Sequence, residues 1–498
     1  MLFNSYIFIL LFLPLTLCAY YASRNFASKQ FSFVILVVAS LVYYGYWRFG
    51  YLALIIASIL FNYLAGILLN RLQEGGLKRA LLIVFVGANL ALLGYYKYWN
   101  FLFENIEYLT GAAMPIDSII LPLAISFFTF QQIAYLVDVY RKHLREYSFV
   151  HYCLFVSFFP QLIAGPIVHH KEMMPQFDDA QGKTFDAELF VCGLYQFILG
   201  LFKKVILADN LALFATPVFM AADSGSVLSG PEAWIGVLAY SFQLYFDFSG
   251  YSDMAIGIGK MFGIRLPVNF NSPYKATSIV DFWRRWHITL SRFLKDYLYI
   301  SLGGNRKGPI RRQGNLLITM LLGGLWHGAS WNFVVWGGMH GSYLVVNHLW
   351  GNLLSVMGLA SLKTNKIYLI IMWGITFIAV VLAWVMFRAE TFHGAMNLYE
   401  SMLGLVPGIE GGSRSALVLQ DLPRALAMVL VGALVALFAP NVQEIIDRLD
   451  RNVIGRQTVL NKGMERLQVP VTAILMSFAL VLTLSSMNRV SEFLYFQF

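Results

Sequence analysis

The chain has 498 residues, of which 58% are hydrophobic, 16% aromatic and only 13% charged, and its mean hydropathy is +0.64. A soluble domain carries about 25% charge and a single core stops growing near ~250–300 residues, so a soluble globular protein is excluded. Disorder, coiled coil and a small disulfide scaffold fall on the same composition, which leaves an all-α, polytopic membrane protein.

The balance of 36 Lys and Arg against 27 Asp and Glu gives a formal charge of +9. In a membrane protein such an excess collects in cytoplasmic loops and sets topology, so it is not read as a nucleic-acid surface. Cys18, Cys153 and Cys192 lie in apolar runs without metal or redox spacing and are expected to be small buried hydrophobes.

A membrane span needs about 20 mostly apolar residues. Runs of that kind are Leu2–Tyr20, Phe31–Trp47, Tyr51–Leu69, Ala80–Tyr96, Ile119–Val137, Tyr152–Val168, Leu189–Phe202 and Ala233–Phe248. Further along come Asn315–Leu325, Phe333–Leu349, Ile367–Phe387, Ala425–Ala439 and Val469–Ser485. Some are short or broken by glycine, so about 10 to 13 membrane helices are predicted in one membrane-embedded domain spanning 1–498. The leader Met1-Leu2-Phe3-Asn4-Ser5 has no positive n-region, which argues against a cleaved signal peptide.

Charge places the loops. Arg24 and Lys29 follow the first run, Arg71, Lys78 and Arg79 the third, and Arg141, Lys142 and Arg145 the fifth. Between them, Trp99–Asp117 carries only Glu104, Glu107 and Asp117. The alternation predicts an N-terminus outside and odd-numbered loops inside. The basic stretch Asn441–Gln468 is then cytoplasmic, and one last span leaves a C-terminal tail, 489–498, on the external face.

Charge becomes dense in the middle of the chain, and the chemistry is expected within 251–350. From Ser278 to Tyr299, apolar residues recur at Ile279, Phe282, Trp283, Trp286, Leu290, Phe293, Leu294, Tyr297 and Leu298. Steps of three and four predict one amphipathic helix, opened by a cap pairing Ser278 with Asp281. Arg284, Arg285, Arg292 and Lys295 form its basic face, suited to a membrane surface. Those residues read either as headgroup anchors or as a phosphate site. His287 beside the stripe reads either as a hydrogen-bonded interfacial histidine or as a functional one.

The second feature is Leu321-Leu-Gly-Gly-Leu-Trp-His-Gly-Ala-Ser-Trp-Asn332, within a stretch from Asn315 to Trp350 that has no Asp, Glu, Lys or Arg. An ionisable group at membrane depth is a functional candidate by default, so His327 is either catalytic, proton-carrying or structural. Trp326, Trp331 and Trp336 are expected to wall a cavity around it. His340 and His348 follow at spacings that suit no common metal motif, and no metal site is expected.

These segments carry a resemblance. Asp281-Phe-Trp-Arg-Arg-Trp-His-Ile-Thr-Leu-Ser291, Asp296-Tyr-Leu-Tyr-Ile-Ser-Leu-Gly-Gly-Asn-Arg306 and Leu325-Trp-His-Gly-Ala-Ser-Trp-Asn332 resemble the signatures of the membrane-bound O-acyltransferase family. So do Phe127-Phe-Thr-Phe-Gln131, Phe158-Phe-Pro-Gln-Leu-Ile-Ala-Gly-Pro166 and Tyr240-Ser-Phe-Gln-Leu-Tyr-Phe-Asp-Phe-Ser-Gly-Tyr-Ser-Asp253. The blocks run in order along nearly the whole chain. They are most similar to the bacterial branch typified by the alginate O-acetylation membrane subunit, with Ser301 standing where relatives commonly have proline.

The resemblance implies a ring of tilted helices around a tunnel through the bilayer, with His327 as the catalytic histidine and His287 as the second important one. It implies an acetyl group passing from a cytoplasmic thioester, acetyl-CoA, to an exported polysaccharide, with no bound cofactor. Trp326, Asn332 or His287 would donate to the oxyanion, and Arg284, Arg285, Arg292 or Lys295 would hold the donor's phosphates. An extracytoplasmic transferase would complete the transfer in the envelope of a bacterial inner membrane. Tyr495, in the tail, is a candidate acyl carrier, its alternative being one more ring in an aromatic interface belt. The other readings are transfer of D-alanine to a cell-envelope polymer and a proton-coupled transporter.

Overall fold

The computed structural model describes residues 1–26, 28–112, 118–141, 148–179, 185–405, 421–449 and 462–487. All regular structure among them is helical, as lipid demands of a chain that must satisfy its own backbone. Among the described residues five helices are long and apolar enough to cross a membrane: Ile7–Phe26, Phe49–Arg71, Gly76–Thr110, Ala187–Asp223 and Lys366–Arg388. Leu422–Phe438 with Val442–Leu449, bent by 53°, makes a sixth if counted as one span.

That count is lower than the number of apolar runs, for local reasons. The run Tyr152–Val168 is interrupted at Phe158, giving Phe149–Ser157 and Phe159–Leu162. Lys29–Gly45 and Pro470–Ser486 form shorter apolar helices. Gly230–Met261 buries Ser241, Gln243, Asp247, Ser249 and Ser252, and Pro309–His327 begins with Arg311 and Arg312. The tail 489–498, Tyr495 included, lies outside the described residues.

The chain divides into two compact units. The first, Met1–Ile198 with Tyr251–Pro267 and Leu449–Met476, is knit by polar side chains. Asn62 and Asn89 exchange amide hydrogen bonds of 3.0 and 2.8 Å. Gln132 donates to Ser58 Oγ at 3.0 Å and accepts from Tyr152. Such pairs are worth about 0.6–2 kcal/mol each where lipid offers no other partner. Phe3, Phe8, Phe12, Tyr43 and Phe159 form an aromatic cluster in the same unit. Cys153 and Cys192 are buried as expected, whereas Cys18 is exposed, because it faces away from the helices packed on Leu13–Phe26.

The second unit comprises Leu199–Gly250, Val268–Arg448 and Ser477–Phe498. Its core holds a charged group. Lys204 lies in a π-helical stretch, Lys203–Ala208, whose wider turn inserts a residue and re-aims the side chains. Lys204 Nζ sits 2.7 Å from both Asp209 Oδ1 and Asp247 Oδ1, with the lysine side chain 2% exposed. Lys203 donates to Ser249 Oγ at 2.9 Å.

Replacing Lys204 by Met would remove its charge from beside the buried Asp247 and the partly buried Asp209. A loss of about 3–5 kcal/mol is expected, read as a lower unfolding midpoint in detergent. Arg424→Ala, which removes the half-exposed pair to Asp421, should cost under ~1 kcal/mol. Equal effects of the two changes would contradict a buried ion pair in the core.

Candidate active site

His327 is the last residue of Pro309–His327, and the chain turns through Gly328 and Ser330 into Trp331–Val356. Glycine decides how closely these two helices approach. A Cβ on Gly324 would stand 3.2 Å from Gly337 Cα, one on Gly337 3.1 Å from Leu321 Cα, and one on Gly341 3.2 Å from Leu317 Cα. The backbones therefore touch, which only glycine allows. On Gly328 a Cβ would collide with the Phe333 ring.

This hairpin sets the His327 ring, 7% exposed, among three aromatic rings. Trp326 lies 5.0 Å away, Trp336 5.1 Å and Phe387 5.2 Å, all edge-to-face. Trp336 continues to His340 at 4.9 Å and to Trp384 at 5.9 Å. His340 is enclosed by Phe282, Trp283, Trp336, Tyr343 and Trp384. Trp384 meets Trp286 at 4.9 Å and donates to the Tyr274 hydroxyl. His327 and His340 thus belong to one aromatic cluster. An imidazole in such surroundings can exchange a proton while water is kept from the reacting atoms.

The second motif departs from the single helix predicted over Ser278–Tyr299. Ser278 caps as expected, its hydroxyl accepting from the Asp281 amide. The helix then ends after Ile279–Arg285 and restarts at Ile288–Phe293, continuing into the π-helical Leu294–Tyr299. Trp286 is extended and His287 is left-handed at φ 42°, ψ 53°. A non-glycine residue in that region costs about 1–2 kcal/mol, which local hydrogen bonds must offset.

They come from 269–271. Asn271 N–H donates to the Arg285 carbonyl at 2.9 Å, and Ile288 N–H to the Asn269 carbonyl at 3.0 Å. The Asn269 side-chain oxygen accepts from Thr289 N–H at 3.2 Å and from Thr289 Oγ1 at 2.8 Å, and stands 3.1 Å from His287 Nδ1. Phe248 packs edge-on to the His287 ring at 4.8 Å. Burial pushes the imidazole down to about 3, so His287 is neutral at physiological pH.

The remaining expectations divide. Trp331 does not wall the site: it is 58% exposed, because it opens its helix on the outer side. Asn332 donates an amide N–H to the Ala389 carbonyl at 2.8 Å, tying the start of its helix to the end of Lys366–Arg388. Arg285 pairs with Asp281 at 3.0 Å, while Arg284 and Lys295 are exposed and Arg292 is half-buried. His348 bonds the Leu344 carbonyl of its own helix. Sequence reading missed Asn269, Trp384 and Phe387. The signal for Asn269 was a polar residue between Val268 and Phe270, flanked by Pro267 and Pro273.

Gly337→Val forces the two helices apart. Such overpacking costs about 1–3 kcal/mol, and transfer should fall by at least tenfold in protein that still extracts as a monodisperse species. Gly338→Ala, whose Cβ would stand 3.5 Å from Leu321 Cδ2, should be tolerated. Equal loss in both variants would contradict the close approach as the cause.

Comparison with known proteins completes the picture. The model of the membrane-bound O-acyltransferase family matches residues 139–389, a segment containing Asn269, His287, His327 and Trp384. A peptidoglycan O-acetyltransferase of Helicobacter pylori is 46% identical over 435 residues, 81% of this chain and 80% of that protein. A probable alginate O-acetylase, AlgI, of Pseudomonas aeruginosa is 42% identical over 414 residues, 81% of this chain and 75% of that one. A teichoic acid D-alanyltransferase of Bacillus subtilis is 29% identical over 269 residues, 52% of this chain and 66% of its own length.

Proposed function

The chain belongs to the membrane-bound O-acyltransferase family, and from that premise we propose that it carries an acetyl group from a cytoplasmic thioester, acetyl-CoA, to a hydroxyl of an exported cell-envelope polysaccharide, with His327 as general base. The observation that carries this reading is the placement of His327. A buried imidazole stands at a glycine-closed helix turn, walled by Trp326, Trp336 and Phe387. Acetyl is favoured over D-alanine because the O-acetylating relatives match far more of the chain, at 46% and 42% identity against 29%.

In the reaction so assigned, the acceptor oxygen attacks the thioester carbonyl while His327 takes the hydroxyl proton. The C–S bond then breaks, and the proton passes to the departing thiolate. General-base catalysis of this kind contributes about 10²–10⁴-fold, and holding both substrates at the imidazole adds several kcal/mol through proximity. The Trp326 indole N–H, on the ring next to His327, is the donor we assign to the oxyanion. Asn332, with an amide hydrogen committed to Ala389, is the weaker choice.

The exposed Arg284 and Lys295 are assigned to the donor's phosphates, with Arg292 behind them and Arg285 engaged by Asp281. Donor and acceptor reach His327 from opposite sides of the bilayer; with Tyr495 as the candidate carrier, its hydroxyl is the one that attacks there, and an extracytoplasmic transferase then passes the acetyl group to the polysaccharide. On this reading the membrane is the bacterial inner membrane, with both termini outside.

His327→Ala separates an enzyme from a transporter. Mass spectrometry of envelope polymers should show polymer still exported by His327→Ala cells but with O-acetyl groups lowered at least 10²-fold. Normal acetylation in that strain would sink the proposal.

A further inference from the structure

An indole nitrogen carries a hydrogen and offers no lone pair, so it can only donate. The Trp384 Nε1 lies 3.1 Å from the Tyr274 hydroxyl oxygen, which therefore accepts. The phenolic hydrogen is left for the other neighbour of that oxygen, the Ser241 carbonyl at 2.5 Å. Chemistry alone fixes the direction of this chain, from indole to phenol to carbonyl. Tyr274, Trp384 and Ser241 are each at most 3% exposed, so water does not compete for the bonds. In such surroundings two bonds through one hydroxyl strengthen each other.

We propose that Tyr274 is a positioning residue: its hydroxyl sets the angle of the Trp384 ring, and through that ring it keeps the aromatic wall of His327 closed to water. This rests on the acyltransferase reading and deepens it. Trp384 packs on Trp336 at 5.9 Å and on Phe387 at 5.3 Å. Those are two of the rings around His327, at 5.1 and 5.2 Å from it. Trp384 also meets Trp286 at 4.9 Å, the residue before His287. One indole thus supports the surroundings of His327 and the turn that carries His287. Neither Tyr274 nor Trp384 acts on the reacting atoms.

Three features favour orientation over space filling. A phenylalanine would fill nearly the same volume as Tyr274, but it would leave the buried Trp384 N–H without an acceptor, and a buried donor left unmade is costly. The tyrosine is itself held by the helix it orients. Trp373 Nε1 donates to the Tyr274 backbone carbonyl at 2.9 Å, and Trp373 and Trp384 lie three turns apart on one face of Lys366–Arg388. The turn that presents Tyr274 opens with Ser272, left-handed at φ 46°, ψ 60°, and then Pro273. Strain of this kind persists only where the surroundings over-determine it.

The test uses the full chain in lipid vesicles with labelled acetyl-CoA, the acceptor polymer and its transferase. Tyr274→Phe removes one oxygen and keeps the ring. It should lower kcat for transfer about tenfold, with KM for acetyl-CoA within about twofold. Where the wall opens, water attacks the thioester carbonyl in place of the acceptor hydroxyl, the C–S bond breaks, and acetate and the thiol of CoA are released. Thiol released per acetyl transferred should therefore rise at least about fivefold. A variant that only lowered the amount of folded protein would leave that ratio unchanged. Hydrogen exchange at the Trp384 indole, its nitrogen-15 signal assigned by loss in Trp384→Phe, reads the bond without reference to activity. Exchange should be slow in the unsubstituted protein and about tenfold faster or more in Tyr274→Phe. Tyr274→Phe with an unchanged thiol ratio would overturn the proposal, whether or not kcat falls. So would a Trp384 indole that exchanges in the unsubstituted protein as fast as one in water. Absence of transfer by the unsubstituted protein would instead sink the acyltransferase reading, while the exchange rates still decide whether Tyr274 holds Trp384.

Discussion

Two helices can put their backbones in contact only where no Cβ stands between them. Gly324, Gly337 and Gly341 meet that condition along the hairpin that turns just after His327. The packing of Trp336 against His327, of Phe387 against both, and of His340 behind Trp336 depends on that approach. In lipid the hydrophobic effect does not drive helices together, so close van der Waals contact has to do so. The glycines therefore serve chemistry through packing. They bring a titratable group to the end of a helix and close aromatic rings around it.

The other histidine is held by hydrogen bonds instead. His287 occupies a left-handed turn secured by Asn269 and Thr289, and its burial keeps it neutral. Both imidazoles meet aromatic rings, but only His287 is shown within hydrogen-bond distance of a carboxamide oxygen.

Much of this was legible in the sequence. The composition demanded helices in lipid, and the charge-free stretch around His327 marked it as exceptional. Ser278 capped where its spacing with Asp281 said it would. What failed was local inference overridden by distant contacts. The apolar steps from Ile279 to Leu298 fit an unbroken helix, and the break at Trp286 and His287 is imposed by Asn269 from outside that segment. Lys204 points inward only because a π-helical stretch shifts its register, which periodicity does not report. Trp331 shares the motif of Trp326 yet faces outward, since the turn at Gly328 lies between them.

The proposed role of His327 is that of the base for an acyl transfer that joins a donor and an acceptor arriving from the two faces of the bilayer. It is tested most directly in sealed vesicles holding purified protein in one orientation, with labelled acetyl-CoA on the cytoplasmic face and the acceptor polymer with its transferase on the other. Label should appear in polymer with the unsubstituted protein and stay at background with His327→Ala. Equal labelling by both proteins would contradict it, as would label appearing only when donor and polymer share one face.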